Sequence, residues 1–278
     1  MTFLDFLKAI VFGIVEGITE WLPISSTGHM ILLDRIMPLN VSADFKELFL
    51  VVIQLGAVMA VVLLYWHRLW PLYRSRKTGK MRIRIKTIDM WFKVLVGCVP
   101  AAVIGILWDD LFESLFYNYV CVAIALIVFG VLFILVERRN TGLYPNTESI
   151  AEMTYKTAFI IGMFQVLAAI FPGTSRSGAT ILGAILIGVS RKCAAEYTFF
   201  MAVPVMFGAS LLKLVKLGFH CTFAEAGTLL IAMFVAFVVS VLAIRYLLSY
   251  IKKHDFTMFG IYRIILGIIV LRFAIFAH

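Results

Sequence analysis

The feature that most constrains this chain is a series of apolar stretches, each about as long as a membrane-spanning helix, that recurs from end to end. A transmembrane helix needs about 20 consecutive apolar residues to cross the hydrocarbon core of a bilayer. The stretches are Leu48–Trp66, Phe92–Trp108, Val120–Val136, Phe199–Leu217, Thr228–Leu248 and Phe259–Phe276. Their connections have no room for a soluble domain. We therefore predict an all-α polytopic membrane protein, with residues 1–278 forming a single integral membrane domain.

Composition supports this class and bears on the partners. Hydrophobic residues make up 62% of the chain, charged residues 15%, and the mean hydropathy is +0.99, whereas about a quarter of the residues are charged in soluble proteins. The net charge of +9 could indicate nucleic-acid binding. Nine Lys and Arg residues, however, cluster between His67 and Lys93 against one acid, Asp89. By the positive-inside rule this connection is cytoplasmic, so we predict a membrane partner and no nucleic acid.

The two halves of the chain resemble each other weakly. At an offset of 149 residues, GIVEGITEWLPISSTGH, which starts at Gly13, aligns with GMFQVLAAIFPGTSRSG, which starts at Gly162. In this alignment Ser26 meets Ser175. Self-similarity of this kind is typical of a fold built from two copies of one structural unit.

Each half also contains a broken apolar stretch. A proline followed by Gly, Ser and Thr interrupts it, and the next apolar segment, Met30–Ile36 or Ala179–Val189, is too short to span. This pattern is typical of a re-entrant helix pair, although two full spanning helices would fit the charge pattern equally well. Combined with the charge-derived orientation, it predicts two inverted-topology repeats, about 1–138 and about 150–278. Each repeat has one re-entrant pair and about three transmembrane helices.

Two glutamates lie within the apolar sequence FGIVEGITEWL. Glu16 and Glu20 are four residues apart, so they share one face of a helix. An acidic residue costs about 2.5–3.5 kcal/mol at the bilayer centre, and neighbouring carboxylates repel each other, so a proton or a cation must neutralise the pair. We therefore consider Glu20 a catalytic candidate and Glu16 with Glu20 a candidate site for a divalent cation. A position near the water interface is the alternative.

A hydroxyl cluster, Ser25-Ser26-Thr27-Gly28-His29, follows Pro23 just before a helix can start. Backbone N–H groups at a helix N-terminus attract anions, hydroxyls add hydrogen bonds, and an imidazole exchanges protons near neutral pH. The cluster is therefore suited to hold a phosphate. The alternative is an ordinary helix cap followed by a surface histidine.

A second cluster, PGTSRSGAT, contains Arg176 among further hydroxyl groups. A guanidinium offers a rigid fork of donors that suits phosphate oxygens and stays charged at any relevant pH. An arginine that snorkels to the interface is the alternative. Together the two clusters predict a site for a phosphorylated substrate. The predicted substrate-binding residues are Ser25, Thr27, Thr174, Ser175, Ser177 and Thr180.

The motifs VEGITEWLPISSTGH and PGTSRSGAT resemble the paired signatures of the undecaprenyl-diphosphate phosphatases, which are bacitracin-resistance-type membrane phosphatases. The resemblance extends over essentially the whole chain. It implies hydrolysis of undecaprenyl diphosphate to undecaprenyl phosphate and inorganic phosphate, which recycles the lipid carrier of cell-wall synthesis. It also implies a bacterial plasma-membrane protein whose active site opens to the outer, periplasmic face, and a requirement for a divalent cation such as Mg²⁺ or Ca²⁺.

The candidate catalytic residues are Glu20, Ser26, His29 and Arg176. Ser26 is the first candidate for the nucleophile, with His29 or Glu20 as its base; His29 itself or a water molecule could also attack. Arg176 would clamp the diphosphate and stabilise the charge of the transferred group. A polyprenyl-phosphate flippase or a secondary transporter is the alternative function, because inverted repeats with broken helices are common in transporters.

The tryptophans and the lipid-facing surface carry less information. Trp21, Trp66, Trp70 and Trp91 are of the type that anchors a protein at the membrane interface, and we expect no stacking on substrate from them. Neither the preferred prenyl chain length nor the oligomeric state follows from the sequence, because the whole chain is rich in apolar side chains.

Overall fold

The fold is a bundle of helices, known from a computed structural model that describes residues 3–39, 41–74, 79–218 and 221–276. In these ranges it contains ten α-helices and one antiparallel pair of strands. The helices are α1 Phe3–Thr19, α2 Ser26–Ile36, α3 Ala43–Leu69, α4 Ile85–Phe116, α5 Tyr119–Arg139, α6 Tyr155–Ile170, α7 Arg176–Leu186, α8 Arg191–Leu217, α9 Phe223–Tyr250 and α10 Thr257–Phe276. The strands are β1 Leu72–Arg74 and β2 Met81–Ile83, between α3 and α4.

The predicted fold class is confirmed. Within the described ranges, six helices (α3, α4, α5, α8, α9 and α10) are long and apolar enough to cross a membrane. They match the six predicted spans one for one. Two of the basic residues predicted to lie in the cytoplasmic connection, Arg76 and Lys77, are outside the described residues.

The order of helices in the first half recurs in the second. Helices α1 and α2 have 17 and 11 residues, α6 and α7 have 16 and 11, and α3 and α8 have 27 each. The packing repeats between the halves as well. Helix α1 of the first half packs on α9 of the second, and its counterpart α6 packs on α4, the counterpart of α9; the counterparts α5 and α10 pack on each other. The equivalent helices α3 and α8 run antiparallel, since ion pairs join Glu47 to Lys213 at one end and Arg68 to Glu196 at the other. These features support the predicted inverted repeats. The repeats and the re-entrant helix pairs themselves remain predictions.

The two broken helices differ in register from the sequence alignment. Ser25 caps α2 and Ser175 caps α7; each has a positive φ, 73° and 69°, and accepts a hydrogen bond from the N–H of the glycine three residues later. The predicted match of Ser26 with Ser175 is therefore wrong by one residue. Between the proline and the cap serine the second break has two residues, Gly173 and Thr174, where the first has only Ile24, and Gly173 has a φ of 93°. The structural counterpart of Ser26 is Arg176, the first residue of α7.

Glycines allow α1 to lie very close to α9. A methyl group on Gly13 would be 2.6 Å from the carbonyl oxygen of Ala232, and one on Gly17 would be 2.8 Å from that of Ala236. Small residues at such positions let helix backbones approach in a membrane. Because Glu16 lies on α1 and Glu20 directly follows its last residue, this contact fixes the position of both glutamates inside the bundle.

The tryptophans fall into two groups. Trp66 and Trp70, at the end of α3, are each 47% exposed and stack with their ring centroids 5.0 Å apart. Trp21 is fully buried and packs edge-on against Phe199 at 5.3 Å. The expectation of an interfacial position is therefore wrong for Trp21, because the turn after α1 that carries it lies inside the bundle.

Candidate active site

The carboxylate of Glu20 joins the two sequence motifs. This residue follows α1 and is 6% exposed. Its Oε2 accepts a hydrogen bond from Ser26 Oγ at 2.6 Å, and its Oε1 accepts one from Arg176 Nη2 at 2.7 Å. Its backbone carbonyl accepts a third, from Ser177 Oγ, at 3.0 Å. Residues 156 positions apart in the chain thus form one buried polar cluster.

Further bonds hold Arg176 in place from α8. Its Nη1 donates to the carbonyl oxygen of Thr198 at 3.1 Å. Thr180 donates to the carbonyl oxygen of Arg176 at 2.9 Å and lies 2.8 Å from the hydroxyl of Thr198. A guanidinium has five N–H donors, and the bonds to Glu20 and Thr198 use two of them. Thr180 therefore supports the arginine, while donors remain for phosphate oxygens.

Two helix N-termini, those of α2 and α7, contribute to the same cluster through Ser26 and Arg176. The hydroxyls of Ser25 and Ser175 accept from Gly28 and Gly178 N–H, so they cap these helices. The first N–H groups of a helix lack intrahelical partners and attract anions. The first residues of both helices therefore bond to the same Glu20 carboxylate, which brings the two helix N-termini together.

The remaining predicted hydroxyls differ in exposure. Thr27 is partly buried in the first turn of α2, whereas Thr174 is fully buried. The Thr174 hydroxyl has no hydrogen-bond partner among the described residues. Ser177 is 1% exposed and lies 3.1 Å from the Ser175 hydroxyl as well as bonding to the Glu20 carbonyl. Ser177 thus ties the second loop to the first.

The imidazole of His29 has other partners. Its Nδ1 lies 2.7 Å from the carbonyl oxygen of Ser25 and its Nε2 lies 2.7 Å from the hydroxyl of Tyr262. Because a carbonyl only accepts, Nδ1 carries hydrogen, and in the neutral ring Nε2 accepts from the phenol. Within the described ranges, no hydrogen bond joins His29 to Ser26 or Glu20. Of the two predicted bases for Ser26, the geometry favours Glu20.

Arg263, in α10, is the main residue that the sequence did not single out. It is fully buried, and it donates to the carbonyl oxygens of Pro23 at 3.2 Å, Gly173 at 3.0 Å and Thr174 at 2.7 Å. One guanidinium therefore binds the loops of both broken helices. The sequence could have indicated this residue, because an arginine inside an apolar stretch is costly in a membrane and therefore usually has a function there. Its partners are backbone carbonyls, which leave no pattern in the sequence.

The two buried glutamates have a donor set that suits a hard cation. Glu16 is 1% exposed, precedes Glu20 by four residues, and its Oε1 has no hydrogen-bond partner among the described residues. The described part of the chain holds no group of three or more metal-binding side chains. Mg²⁺ nevertheless binds through one or two carboxylates when water and substrate phosphates complete its coordination. The residues present fit a cation of that type.

Comparison with known proteins shows the family of this chain. A family model described as bacitracin resistance protein BacA matches residues 9–269. The chain belongs to this family. Over 271 residues it is 61% identical to an undecaprenyl-diphosphatase of Desulfitobacterium hafniense, covering 98% of this chain and 96% of the relative. It is also 58% identical to undecaprenyl-diphosphatase 1 of Clostridium acetobutylicum and 57% identical to an undecaprenyl-diphosphatase of Enterococcus faecalis, with 98% of both chains covered in each case.

Proposed function

We propose that this membrane enzyme hydrolyses undecaprenyl diphosphate to undecaprenyl phosphate and inorganic phosphate at the cluster of Glu20, Ser26 and Arg176. The reaction follows from membership of the family and from relatives of 52–61% identity that are named undecaprenyl-diphosphatase. Release of the monophosphate recycles the lipid carrier of cell-wall synthesis. The observation that supports the site is the Glu20 carboxylate, which contacts a hydroxyl with one oxygen and a guanidinium with the other.

Ser26 is the nucleophile in this proposal. Its Oγ attacks the terminal phosphorus while its proton passes to Glu20 Oε2, which lies 2.6 Å from Ser26 Oγ. The bond from that phosphorus to the bridging oxygen breaks, and undecaprenyl phosphate leaves with the electron pair. Glu20 returns the proton to the departing phosphate and then accepts one from the water that attacks the phosphoserine. The bond between Ser26 Oγ and phosphorus then breaks, inorganic phosphate leaves, and Glu20 gives the proton back to Ser26 Oγ.

Arg176 and the two helix N-termini bind the diphosphate in this proposal. The guanidinium is held rigidly by Glu20 and Thr198, so its remaining donors are oriented before the substrate arrives. Phosphoryl transfer depends mainly on positioning and on stabilising charge that spreads over the equatorial oxygens. Backbone N–H groups after Ser25 and Ser175 add donors that cost no reorganisation.

His29 has a supporting role here. Its two ring nitrogens are occupied by Ser25 and Tyr262. Its Nδ1–H bond to the cap residue fixes the first turn of α2, on which Ser26 lies. A direct attack by His29 would require the bond to Tyr262 to break first.

A divalent cation, Mg²⁺ or Ca²⁺, would be held by Glu16 and Glu20. When bound, it neutralises charge on the diphosphate oxygens. Two neighbouring buried carboxylates repel each other unless a proton or a cation neutralises them. The Glu16 Oε1, which has no hydrogen-bond partner among the described residues, would supply one ligand. Glu20 keeps its bonds to Ser26 and Arg176 in either case.

The substrate site opens to the outer face of the plasma membrane in this proposal. A cleft of about 430 Å³ lies beside α2 and is lined by Met30, Asp34, Lys46 and Tyr117, among others. Lys46 is near the start of α3 and Tyr117 follows the end of α4. The opposite ends of these two helices join the basic connection, which the positive-inside rule assigns to the cytoplasm. Cleft and basic connection are therefore at opposite ends of the bundle.

Phosphate release from a long-chain prenyl diphosphate by the purified protein in detergent tests the function, with and without a chelator. We expect cation-dependent release that Arg176→Ala lowers by about 10²–10³-fold, as loss of one transition-state donor does. Arg68→Ala is the matched control, because it removes another arginine–glutamate pair, with Glu196, at the end of α3. Unchanged turnover in Arg176→Ala would refute the clamp. No release by well-folded protein would favour the transporter.

The nucleophile needs its own experiment. Acid quenching after mixing with substrate labelled in the terminal phosphate is expected to trap phosphoserine at residue 26. Ser26→Ala should remove both the label and the turnover. Turnover without a trapped phosphoenzyme, or persistence of activity in Ser26→Ala, would leave attack by water or by His29.

A further inference from the structure

We propose that the hairpin β1–β2 lies on the membrane surface, with its apolar face against the bilayer and its basic side chains bound to anionic phospholipid headgroups. The hairpin is at the opposite end of the bundle from the cleft beside α2. This inference does not depend on the proposed phosphatase reaction.

The two faces of the hairpin differ in character. Leu72 pairs with Ile83, and Met81 is two residues from Ile83, so these three side chains share a face. They are 39%, 61% and 62% exposed for Leu72, Ile83 and Met81. Arg74, which pairs with Met81, starts from the same face, and its Nε donates to the Gly79 carbonyl oxygen at 2.9 Å; the pair Tyr73 and Arg82 occupies the other face. An exposed face of three large apolar side chains on so small an element marks an interaction surface.

The hairpin has a fixed orientation on the bundle. The N–H of Arg84 donates to the Pro71 carbonyl at 2.7 Å, closing the base of the hairpin. The Arg84 guanidinium lies 5.2 Å from the ring centroid of Tyr73. Trp91 Nε1 on α4 donates to the Leu69 carbonyl at the end of α3, at 2.8 Å. The apolar face therefore points in one direction relative to the transmembrane helices.

Neighbouring aromatic and apolar residues place the hairpin at the level of the interface. The stacked pair Trp66 and Trp70 is half-exposed just before β1. Tryptophans concentrate where the hydrocarbon core meets the headgroups. Ile85, directly after the hairpin, is 80% exposed. The apolar face is thus at a depth where lipid is available to cover it.

The positive charge of the hairpin and of the first turn of α4 indicates that the lipid headgroup is anionic. All the described basic side chains of the hairpin and of the first turn of α4 are exposed; they are Arg74, Lys80, Arg82, Arg84 and Lys86. The one acid nearby in the sequence, Asp89, is paired with Lys93 at 2.7 Å. A second copy of the chain would bring the same positive charge, and a nucleic acid would leave the apolar face uncovered. An anionic phospholipid of the cytoplasmic leaflet satisfies both features.

Fluorescent labels on the two faces test the proposal. An environment-sensitive probe is attached in separate variants at Ile83→Cys and at Arg82→Cys, in a background with Cys121→Ser and Cys221→Ser. The other two cysteines are buried and do not compete for label. Each protein is placed singly in lipid nanodiscs that contain nitroxide-labelled lipid as quencher. One disc is purely zwitterionic and the other contains phosphatidylglycerol.

We expect the probe at residue 83 to be quenched about twofold or more over the probe at residue 82, as an interfacial amphipathic element requires. Phosphatidylglycerol should widen the difference. Lys80→Gln with Lys86→Gln should remove that increase, whereas Lys252→Gln with Lys253→Gln, also exposed but between α9 and α10, should not. Equal quenching on both faces would overturn the membrane contact. Equal quenching in both discs would overturn the selectivity for anionic lipid.

Discussion

Glu20→Gln tests the catalytic assignment most directly. The carboxylate accepts from Ser26 with one oxygen and from Arg176 with the other. A glutamine amide has one accepting oxygen and an NH₂ group that only donates. The variant can therefore accept from one of the two partners and must turn a donor towards the other. It also removes the group that takes the proton of Ser26.

The expected loss follows from these contacts. A positioned general base contributes about 10²–10⁴-fold to a rate, so the barrier should rise by about 2.7–5.5 kcal/mol at 1.36 kcal/mol per tenfold. The pair is buried, with side-chain exposures of 13% for Arg176 and 7% for Glu20. Breaking a buried ion pair by neutralising one partner costs about 3–5 kcal/mol of stability. Both kcat and Tm should therefore fall.

A matched variant separates the two effects. Glu137→Gln makes the same chemical change at another buried glutamate, which pairs with the partly exposed Arg191 and also accepts from the N–H of Phe256 at 3.0 Å. It should lower Tm to a similar extent while kcat, measured below Tm in single-turnover phosphate release, stays near the wild-type value. If Glu20→Gln keeps kcat within about tenfold of wild type, Glu20 is not the base. If kcat falls equally in both variants, the loss reflects stability.

Three further predictions follow from the site and its supports. Tyr262→Phe removes the hydroxyl at Nε2 of His29 and should lower kcat by about tenfold or less with only a small decrease in Tm, because it deletes one exposed hydrogen bond to a supporting residue; a larger loss of kcat would assign His29 a direct catalytic part. Gly17→Ala should lower Tm, since its methyl group would lie 2.8 Å from a backbone oxygen of α9, whereas Gly208→Ala meets nothing within 4 Å and should not; equal Tm values would contradict the close packing of α1. Glu16→Gln should raise the Mg²⁺ concentration for half-maximal phosphate release by about tenfold or more, with an unchanged requirement excluding Glu16 as a ligand.

Much of the architecture could be predicted because it depends on local composition. The apolar stretches such as Val120–Val136 correspond to helices, here α5, since length and hydropathy decide whether a segment crosses a membrane. The Pro, Gly and Ser breaks likewise coincide with helix starts at Ser26 and Arg176. The one-residue error in aligning the two halves arose because two residues, Gly173 with its positive φ and Thr174, separate the proline from the cap serine in the second half, whereas Ile24 alone does so in the first. Sequence similarity alone does not reveal which residue adopts a cap conformation.

The sequence by itself determined the membrane class, the two polar motifs and the types of group available for phosphate chemistry. These are properties of neighbouring residues and their spacing. Only the tertiary structure decided that Glu20, rather than His29, contacts Ser26, that His29 is bonded to Tyr262, and that Arg263 holds both loops. The physical reason is that the contacts of His29 with Tyr262 and of Arg263 with the two loops join residues far apart in the chain, the latter through backbone carbonyls, while the contact of Glu20 with Ser26 depends on the turn between α1 and α2. Such contacts depend on how the helices pack, which no local pattern encodes.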